Sequence, residues 1–190
     1  MSNTKQDKHT LRDAKRQQRR ALSPTQQRAA ALAVVDFVQQ LPDWPTAERI
    51  AVYHASDGEI DPAPIAQLTQ SENKQCYLPV VRDNALLFAS WLPDTTLAPN
   101  RYGIMEPAQY SGLCPAASLD LVLMPLVAWD RQGSRLGMGG GYYDRALSGP
   151  YGPLKLGLAH ALQEVPAVPR EAWDIRLDYV ATDRELHRCG

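Results

Sequence analysis

The 190-residue chain has only three cysteines, Cys76, Cys114 and Cys189, and they form neither a CxxC pair nor a spacing typical of a metal site. Their odd number and scattered positions exclude a disulfide framework and indicate a reducing compartment. No apolar stretch approaches the ~20 residues that a membrane-spanning helix needs. The N-terminus also lacks the apolar centre of a secretory signal peptide. We therefore expect a cytoplasmic protein that does not enter a membrane.

The chain also lacks an overall excess of charge, because 20 Lys and Arg face 21 Asp and Glu, for a net charge of −1. This balance excludes a global field that would recruit nucleic acid or a membrane. Residues 1–30 nevertheless carry a formal charge of +6. Four of their cations recur at helical steps of four, four and three and so share one face: Lys8, Arg12, Arg16 and Arg19. Two interpretations stay open, a solvated basic helix and a face that meets the phosphates of a nucleotide or of RNA.

Apolar segments alternate with helix signals along the rest of the chain, and this alternation predicts an α/β fold. Ser23 begins a capping box with Gln26, with Pro24 at the first helical position. Several apolar segments are suited to strands buried on both faces. We expect one three-layer α/β/α domain over residues 1–190, with a mixed, mainly parallel sheet. The expected strands are 49–53, 76–81, 86–91, 119–127, 154–159 and 179–183, and the other expected helices are 7–21 and 62–70.

The most distinctive stretch is rich in glycine and reads Arg135-Leu136-Gly137-Met138-Gly139-Gly140-Gly141-Tyr142-Tyr143-Asp144-Arg145. It lies between an expected buried strand and an expected short helix, a layout in which backbone N–H groups can converge on a phosphate. Glycine suits such a loop because it tolerates positive φ and leaves the backbone accessible. The spacing matches neither the Walker pattern nor the dinucleotide fingerprint. Glycine content alone therefore leaves open a tight connection within the sheet.

Other candidate site residues lie in loops between the expected strands. His54 and Glu59 follow the first strand, and ligands of open α/β sheets bind at the carboxyl ends of strands. Tyr102 offers a ring on which a flat ligand can stack. Asp174 and Asp178 precede the last strand, and one of them can join Asp144 around Mg²⁺. The alternatives are surface or capping roles for His54 and Glu59, a packed tyrosine, and solvated acids.

Five ordered pieces of the chain together resemble the 5-formyltetrahydrofolate cyclo-ligase family. The glycine-rich stretch, preceded by Met124-Pro125, Asp130 and Gly133, resembles the family signature closely. The other four pieces resemble the family's nucleotide-contacting helix, folate loop, aromatic element and metal-binding C-terminal element. They are Lys8 with Arg12, His54 with Glu59, Tyr102-Gly103-Ile104 with Glu106-Pro107, and Asp174 with Asp178.

This resemblance implies conversion of 5-formyltetrahydrofolate to 5,10-methenyltetrahydrofolate with MgATP, by phosphorylation of the formyl oxygen and ring closure. The implied partners are a reduced folate and ATP, and we expect a monomer that binds neither nucleic acid nor a membrane. Implied ATP contacts are Lys8, Arg12 and residues 135–143, namely Arg135, Leu136, Gly137, Met138, Gly139, Gly140, Gly141, Tyr142 and Tyr143. Implied folate contacts are His54, Glu59, Tyr102, Met138, Gly139, Gly140, Gly141 and Tyr142. Arg135, Tyr143 and Arg145 are the implied catalytic residues, and Asp144 with Asp178, the better match of the two C-terminal acids, would hold Mg²⁺.

The chain departs from the family pattern at a few positions. Gly140 stands where some members have a lysine, and Trp173 stands where many have a histidine. The missing lysine keeps open a non-catalytic regulator that binds folate or nucleotide on the same fold. The basic N-terminal helix keeps open an RNA-binding protein, although the acidic remainder lacks a matching basic surface. A sugar-phosphate isomerase or acyl-carrier transferase would need motifs that this chain does not have.

Overall fold

The computed structural model describes residues 3–100, 103–110 and 112–190, with side chains described from residue 6 onward. Its helices are α1 (Asn3–Arg20), α2 (Pro24–Gln39), α3 (Ala63–Ser71) and α4 (Tyr142–Ala146), with 3₁₀ turns at Ala116–Ser118 and Ala161–Gln163. The first six strands are β1 (Arg49–Ala51), β2 (Gln75–Arg82), β3 (Ala85–Ser90), β4 (Leu97–Pro99), β5 (Met105–Pro107) and β6 (Leu121–Pro125). The remaining strands are β7 (Ala128–Trp129), β8 (Arg135–Leu136), β9 (Leu154–Leu158), β10 (Tyr179–Ala181) and β11 (Leu186–Arg188).

Seven strands form one sheet in the order β11-β10-β9-β6-β1-β2-β3. The five inner strands are mutually parallel, whereas β3 and β11 pair antiparallel at the two edges. In the centre, Ile50 of β1 pairs with Cys76 of β2 and with Leu121 of β6. The mixed, mainly parallel sheet expected from the sequence is confirmed. Two small antiparallel pairs, β4–β5 and β7–β8, lie outside the large sheet.

The central strand β6 is buried on both faces. Leu121 and Leu123 belong to a core cluster that includes side chains of α2 and α3. Val122 and Met124 belong to a second cluster on the other face, where the residues of α4 also pack. This alternation follows the two-residue period of a strand. The sheet is therefore the middle of three layers, and the layer on the α4 side is built from short elements, including the 3₁₀ turn Ala116–Ser118 and Trp129 of β7, joined by irregular chain.

Local sequence signals predicted several elements correctly. Ser23 caps α2 through the full capping box with Gln26. Asp83 and Asn84 both have positive φ and form the turn that makes β2 and β3 antiparallel neighbours. The predicted strand 119–127 is shorter than expected, because after β6 the chain turns into the β7–β8 pair, where the Val127 N–H donates to the Leu136 carbonyl at 2.7 Å. The short edge strand β11 was not predicted.

The loops that follow β1, β6 and β9 lie together where the parallel strands of the sheet end. We call this end of the sheet, formed by the carboxyl ends of the strands, the carboxyl edge. Helix α1 lies across it. Lys15 of α1 donates from Nζ to the Leu162 carbonyl at 2.5 Å and to the Glu164 carbonyl at 3.2 Å. No helix in the described part of the chain has both the length and the hydropathy of a membrane span.

Candidate functional site

The N-terminal half of α1 contacts the glycine-rich loop and the C-terminal segment. Lys8 Nζ lies 3.1 Å from Asp174 Oδ2. Arg12 donates from Nε to the Gly137 carbonyl at 2.8 Å. The cationic face predicted for this helix therefore meets the carboxyl edge of the sheet.

The C-terminal half of α1 contacts the loop after β1. Arg19 is fully buried, and its guanidinium donates to the Asp57 carbonyl at 2.8 Å, to the Leu126 carbonyl at 3.0 Å and to Asp57 Oδ2 at 2.7 Å. Arg16 and Arg20 pair with the same carboxylate. Burial opposes ionisation of Asp57, but hydrogen bonds from the three guanidinium groups outweigh it and lower the pKa to about 2. A solvated face is therefore the wrong interpretation for this half of the helix.

Glu59 and His54, both predicted to contact folate, differ in their surroundings. The Glu59 side chain is only 9% exposed, lies 3.6 Å from Arg19 Nη2 and accepts a hydrogen bond from the Ser56 N–H at 3.0 Å. Burial raises the pKa of Glu59 although both of these neighbours favour its charged form. His54 is exposed and makes no hydrogen bond to a described residue. Tyr102, the third predicted folate contact, lies outside the described residues.

The glycine-rich loop presents open backbone. The N–H groups of residues 137–141 donate to no other described residue. A Cβ at Gly137 would meet no atom within 4 Å, and one at Gly139, where φ is +102°, would meet only the Arg12 guanidinium. Gly141 has φ of +64° and begins α4. Accessible, unpaired N–H groups beside a guanidinium can bind an anion.

The side chains of the loop divide between the interior and the surface. Leu136 is buried in a small core cluster with Ala128 and Val168, whereas Met138 is 54% exposed. The Arg145 guanidinium lies 4.9 Å from the centre of the Tyr142 ring and donates to the Gly140 carbonyl at 3.0 Å. Leu136 can therefore take part in ligand binding only through its backbone, and Arg145 places a cation beside Gly140.

Arg135 and Asp144 form an ion pair beneath the loop. Arg135 is buried and donates from Nη2 to Asp144 Oδ1 at 2.8 Å and from Nη1 to the Ile175 carbonyl at 2.7 Å. Asp144 Oδ1 also accepts from the Ile175 N–H at 3.1 Å. Arg135 therefore fixes the orientation of Asp144. Tyr143 is close enough to Glu59 and Arg135 to interact with both charges, and burial raises its pKa.

The structure does not bring Asp178 to Asp144, so the predicted pair of metal ligands is corrected. Asp178 directly precedes β10 and lines a groove at the opposite, amino-terminal edge of the sheet, together with Asp120. There its Oδ2 accepts from the Lys155 N–H at 2.7 Å and pairs with Lys155 Nζ at 2.8 Å. Asp174 is the acid near Asp144, because the next residue, Ile175, donates to Asp144.

The carboxylates of Asp144 and Asp174 suit a hard divalent cation. Asp144 Oδ2 and Asp174 Oδ1 each make no hydrogen bond to a described residue. Within the described ranges, no group of three or more His, Cys, Asp or Glu could hold a metal. Mg²⁺ is commonly bound through one or two carboxylates together with water and substrate phosphates, and the two carboxylates fit that pattern.

Two residues of this site were not among the functional residues predicted from the sequence. Asp57, which joins three arginines of α1 to the loop after β1, carried no motif. Tyr53 donates from its buried hydroxyl to the Ile60 carbonyl at 2.6 Å and so closes the same loop. The helical spacing that placed Arg16 and Arg19 on one face was the only available signal, and it could not identify their acidic partner.

Comparison with known proteins gives consistent matches. The profile of the 5-formyltetrahydrofolate cyclo-ligase family matches residues 4–183. The chain is 38% identical over 178 residues to the 5-formyltetrahydrofolate cyclo-ligase of Haemophilus influenzae, covering 90% of this chain and 95% of the relative. It is 39% identical over 177 residues to the Escherichia coli K12 protein of the same name, covering 90% and 97%. The solved structure of the 5,10-methenyltetrahydrofolate synthetase of Aquifex aeolicus superimposes with a TM-score of 0.83 at 32% identity, over 95% of this chain and 92% of that one. The family match includes every element that forms the carboxyl-edge site.

Proposed function

The chain belongs to the 5-formyltetrahydrofolate cyclo-ligase family of enzymes, and we propose that it converts 5-formyltetrahydrofolate to 5,10-methenyltetrahydrofolate with ATP and Mg²⁺, releasing ADP and phosphate. One observation carries the proposal beyond family membership. Helix α1 contacts the glycine-rich loop through Arg12 and the loop after β1 through Arg19. A nucleotide and a folate bound at these two loops would therefore lie side by side.

The phosphates of ATP bind the glycine-rich loop in this proposal. The unpaired N–H groups of residues 137–141 supply donors, and Arg12 supplies a charge beside them. Lys8 closes over the nucleotide from the same helix face. Arg145, held on the Gly140 carbonyl, compensates for the lysine that some relatives have at position 140. This cation supports an active enzyme over the regulator that the missing lysine kept open.

Asp144 and Asp174 would hold Mg²⁺ together with phosphate oxygens and water. Their uncommitted carboxylate oxygens and their proximity through Ile175 support this assignment. When bound, the ion neutralises charge that spreads over the phosphate oxygens during transfer. Arg135 keeps Asp144 in a fixed orientation, so the carboxylate needs little reorganisation to bind the ion.

The reaction requires activation of a poor electrophile. The formyl oxygen attacks the γ-phosphorus and displaces ADP, which converts that oxygen into a good leaving group. The neighbouring folate nitrogen then attacks the formyl carbon, loses its proton to solvent, and the C–O bond breaks with release of phosphate. The protein's contribution is alignment of the two substrates and compensation of charge. Glu59, with His54 and Tyr102, orients the folate, and Tyr142 and Tyr143 line the junction between the substrates.

We also propose that residues 1–190 act as one monomeric domain in the cytoplasm. The RNA-binding alternative loses support because Arg16 and Arg19, half of the basic face, are paired with Asp57 of the loop after β1. A free basic face is what binding to RNA phosphates would require.

Absorbance spectroscopy tests the proposed reaction. Purified protein is mixed with 5-formyltetrahydrofolate, ATP and Mg²⁺, and the chromophore of the methenyl product is followed continuously. We expect a signal that requires all three components and stops when a chelator is added. Binding of folate and ATP without any signal would contradict the proposed function and favour the regulator.

A further inference from the structure

Asp57 is the point at which helix α1 is attached to the loop after β1. Its carboxylate accepts from Arg16 Nε at 2.7 Å and from Arg19 Nη2 at 2.7 Å, and it also pairs with Arg20. Its carbonyl accepts from Arg19 Nε at 2.8 Å. Three arginines in the C-terminal half of the helix thus pair with one side chain of the loop.

The neighbouring Gly58 lets the loop approach the helix backbone directly. A Cβ at position 58 would lie 3.1 Å from the Arg19 carbonyl oxygen, and φ there is +75°. Gln27 bridges the two segments by donating to the Arg19 carbonyl at 3.0 Å and to the Gly58 carbonyl at 3.2 Å. The loop residue that follows is Glu59, so the position of α1 fixes the position of the proposed folate contact.

Helix α1 is held mainly by polar contacts. Of its described side chains, Leu11 is the one apolar residue that packs on a core cluster. The other attachments described above are polar: ion pairs and hydrogen bonds from Lys8, Arg12 and Lys15, those to Asp57, and the contacts of Arg19 with Leu126, Glu59 and Gln27. An element with few buried apolar contacts opens at a lower free energy than the core does. Ligands that contact this helix can therefore shift its docking equilibrium.

The two ends of α1 serve different ligands in the proposed function. Its 18 residues span about 27 Å. Lys8 and Arg12 lie at the nucleotide end, and Arg16, Arg19 and Arg20 lie at the folate end. A rigid helix can transmit docking from one end to the other without any change in the sheet.

We infer that Asp57 is a positioning residue that couples nucleotide binding to folate binding through α1. The inference rests on the proposed function. Nucleotide bound to Lys8 and Arg12 favours the docked helix, and the docked helix holds the loop that presents Glu59. Folate bound at Glu59 favours the same docked helix. The two ligands therefore strengthen each other's binding by the same factor, as linkage requires.

Calorimetry on the full chain tests this coupling. The dissociation constant of 5-formyltetrahydrofolate is measured with and without saturating Mg²⁺ and a non-hydrolysable ATP analogue. We expect the analogue to lower it at least about fivefold in the wild-type protein, the lower end of ordinary coupling. Asp57→Asn keeps the size of the side chain but removes its charge, and we expect the ratio to fall to near one. Asp36→Asn, which changes an exposed acid of α2 whose side chain pairs with no described residue, should keep the wild-type ratio.

A milder variant covers the case in which Asp57→Asn does not fold. Arg16→Gln removes one of the three guanidinium groups and should give an intermediate ratio, and a wild-type ratio in Arg16→Gln would then overturn the inference. The inference is equally overturned if folded Asp57→Asn keeps the wild-type ratio, or if the wild-type protein binds both ligands independently. Failure of the wild-type protein to bind either ligand would instead contradict the proposed function.

Discussion

Replacing Asp144 by Asn should separate catalysis from stability. The variant deprives Arg135, which is only 6% exposed at its side chain, of its charged partner and leaves it with neutral acceptors such as the Ile175 carbonyl. Loss of one partner of a largely buried charged pair costs about 2 kcal/mol. For a chain of this size, that amounts to a fall of roughly 4–8 °C in melting temperature. Since native stabilities are about 5–15 kcal/mol, the variant stays almost fully folded at 25 °C.

Turnover should fall much further, because a neutral amide oxygen binds Mg²⁺ more weakly than a carboxylate does. We expect kcat to decrease at least about 100-fold, equivalent to about 2.7 kcal/mol of transition-state stabilisation. The absorbance assay at 25 °C, run over a range of Mg²⁺ concentrations, gives kcat, and a thermal melt gives the stability of the same sample. If the variant binds Mg²⁺ more weakly, its residual rate should rise as Mg²⁺ is added.

Two matched variants decide which second acid belongs to the site. Asp174→Asn should lose turnover as Asp144→Asn does. Asp178→Asn weakens the partly exposed pair with Lys155 at the opposite edge, which should cost about 1 kcal/mol of stability or less. Because that pair lies away from the proposed site, kcat should stay within about twofold of the wild-type value. The reasoning fails if Asp178→Asn is as inactive as Asp144→Asn while Asp174→Asn is active. It also fails if Asp144→Asn loses activity only in proportion to its loss of folded protein.

Two further predictions concern α1. Lys8→Ala should raise the KM for ATP about tenfold, the effect of losing one charge-assisted phosphate contact, and steady-state kinetics that moved only the folate KM would contradict the assignment of this helix. The pKa of Asp57 is lowered from 3.8 to about 2, so its ionised form stabilises the fold above about pH 4, and this contribution is lost as pH falls toward 2. Urea unfolding of wild type and Asp57→Asn should therefore differ by about 1–2 kcal/mol from pH 5 to 7 and converge below pH 4; a difference independent of pH down to 3 would exclude Asp57 ionisation as its source.

The sequence predicted the parts of the fold that depend on local signals. The Ser23 capping box, the Asp83-Asn84 turn and the buried central strand each require only neighbouring residues. Strand β11 was missed because three residues at a sheet edge carry no clear apolar alternation. The β7–β8 pair was missed because a strand of two residues is too short to show an alternating pattern and is recognised only from its hydrogen-bonded partner.

The site was predictable where residue spacing determines geometry and not where tertiary contacts do. Helical spacing correctly placed Lys8, Arg12 and Arg19 on one face. The choice between Asp174 and Asp178 depended on the path of an irregular segment relative to β10, and sequence resemblance favoured the acid that pairs with Lys155 over the one next to Ile175, which contacts Asp144. The sequence predicted that Arg135 contacts phosphates. It could not reveal that the two terminal nitrogens of Arg135 donate hydrogen bonds to the Ile175 carbonyl and to Asp144.

Isotope transfer tests the central claim most directly. The protein is incubated with ATP, Mg²⁺ and 5-formyltetrahydrofolate labelled with ¹⁸O in the formyl group, and the methenyl chromophore and the mass of the released phosphate are measured in one sample. Phosphorylation of the formyl oxygen predicts one ¹⁸O-labelled phosphate for each methenyl product formed. Methenyl product accompanied by unlabelled phosphate would contradict the proposed mechanism, and the absence of both products would contradict the proposed function itself.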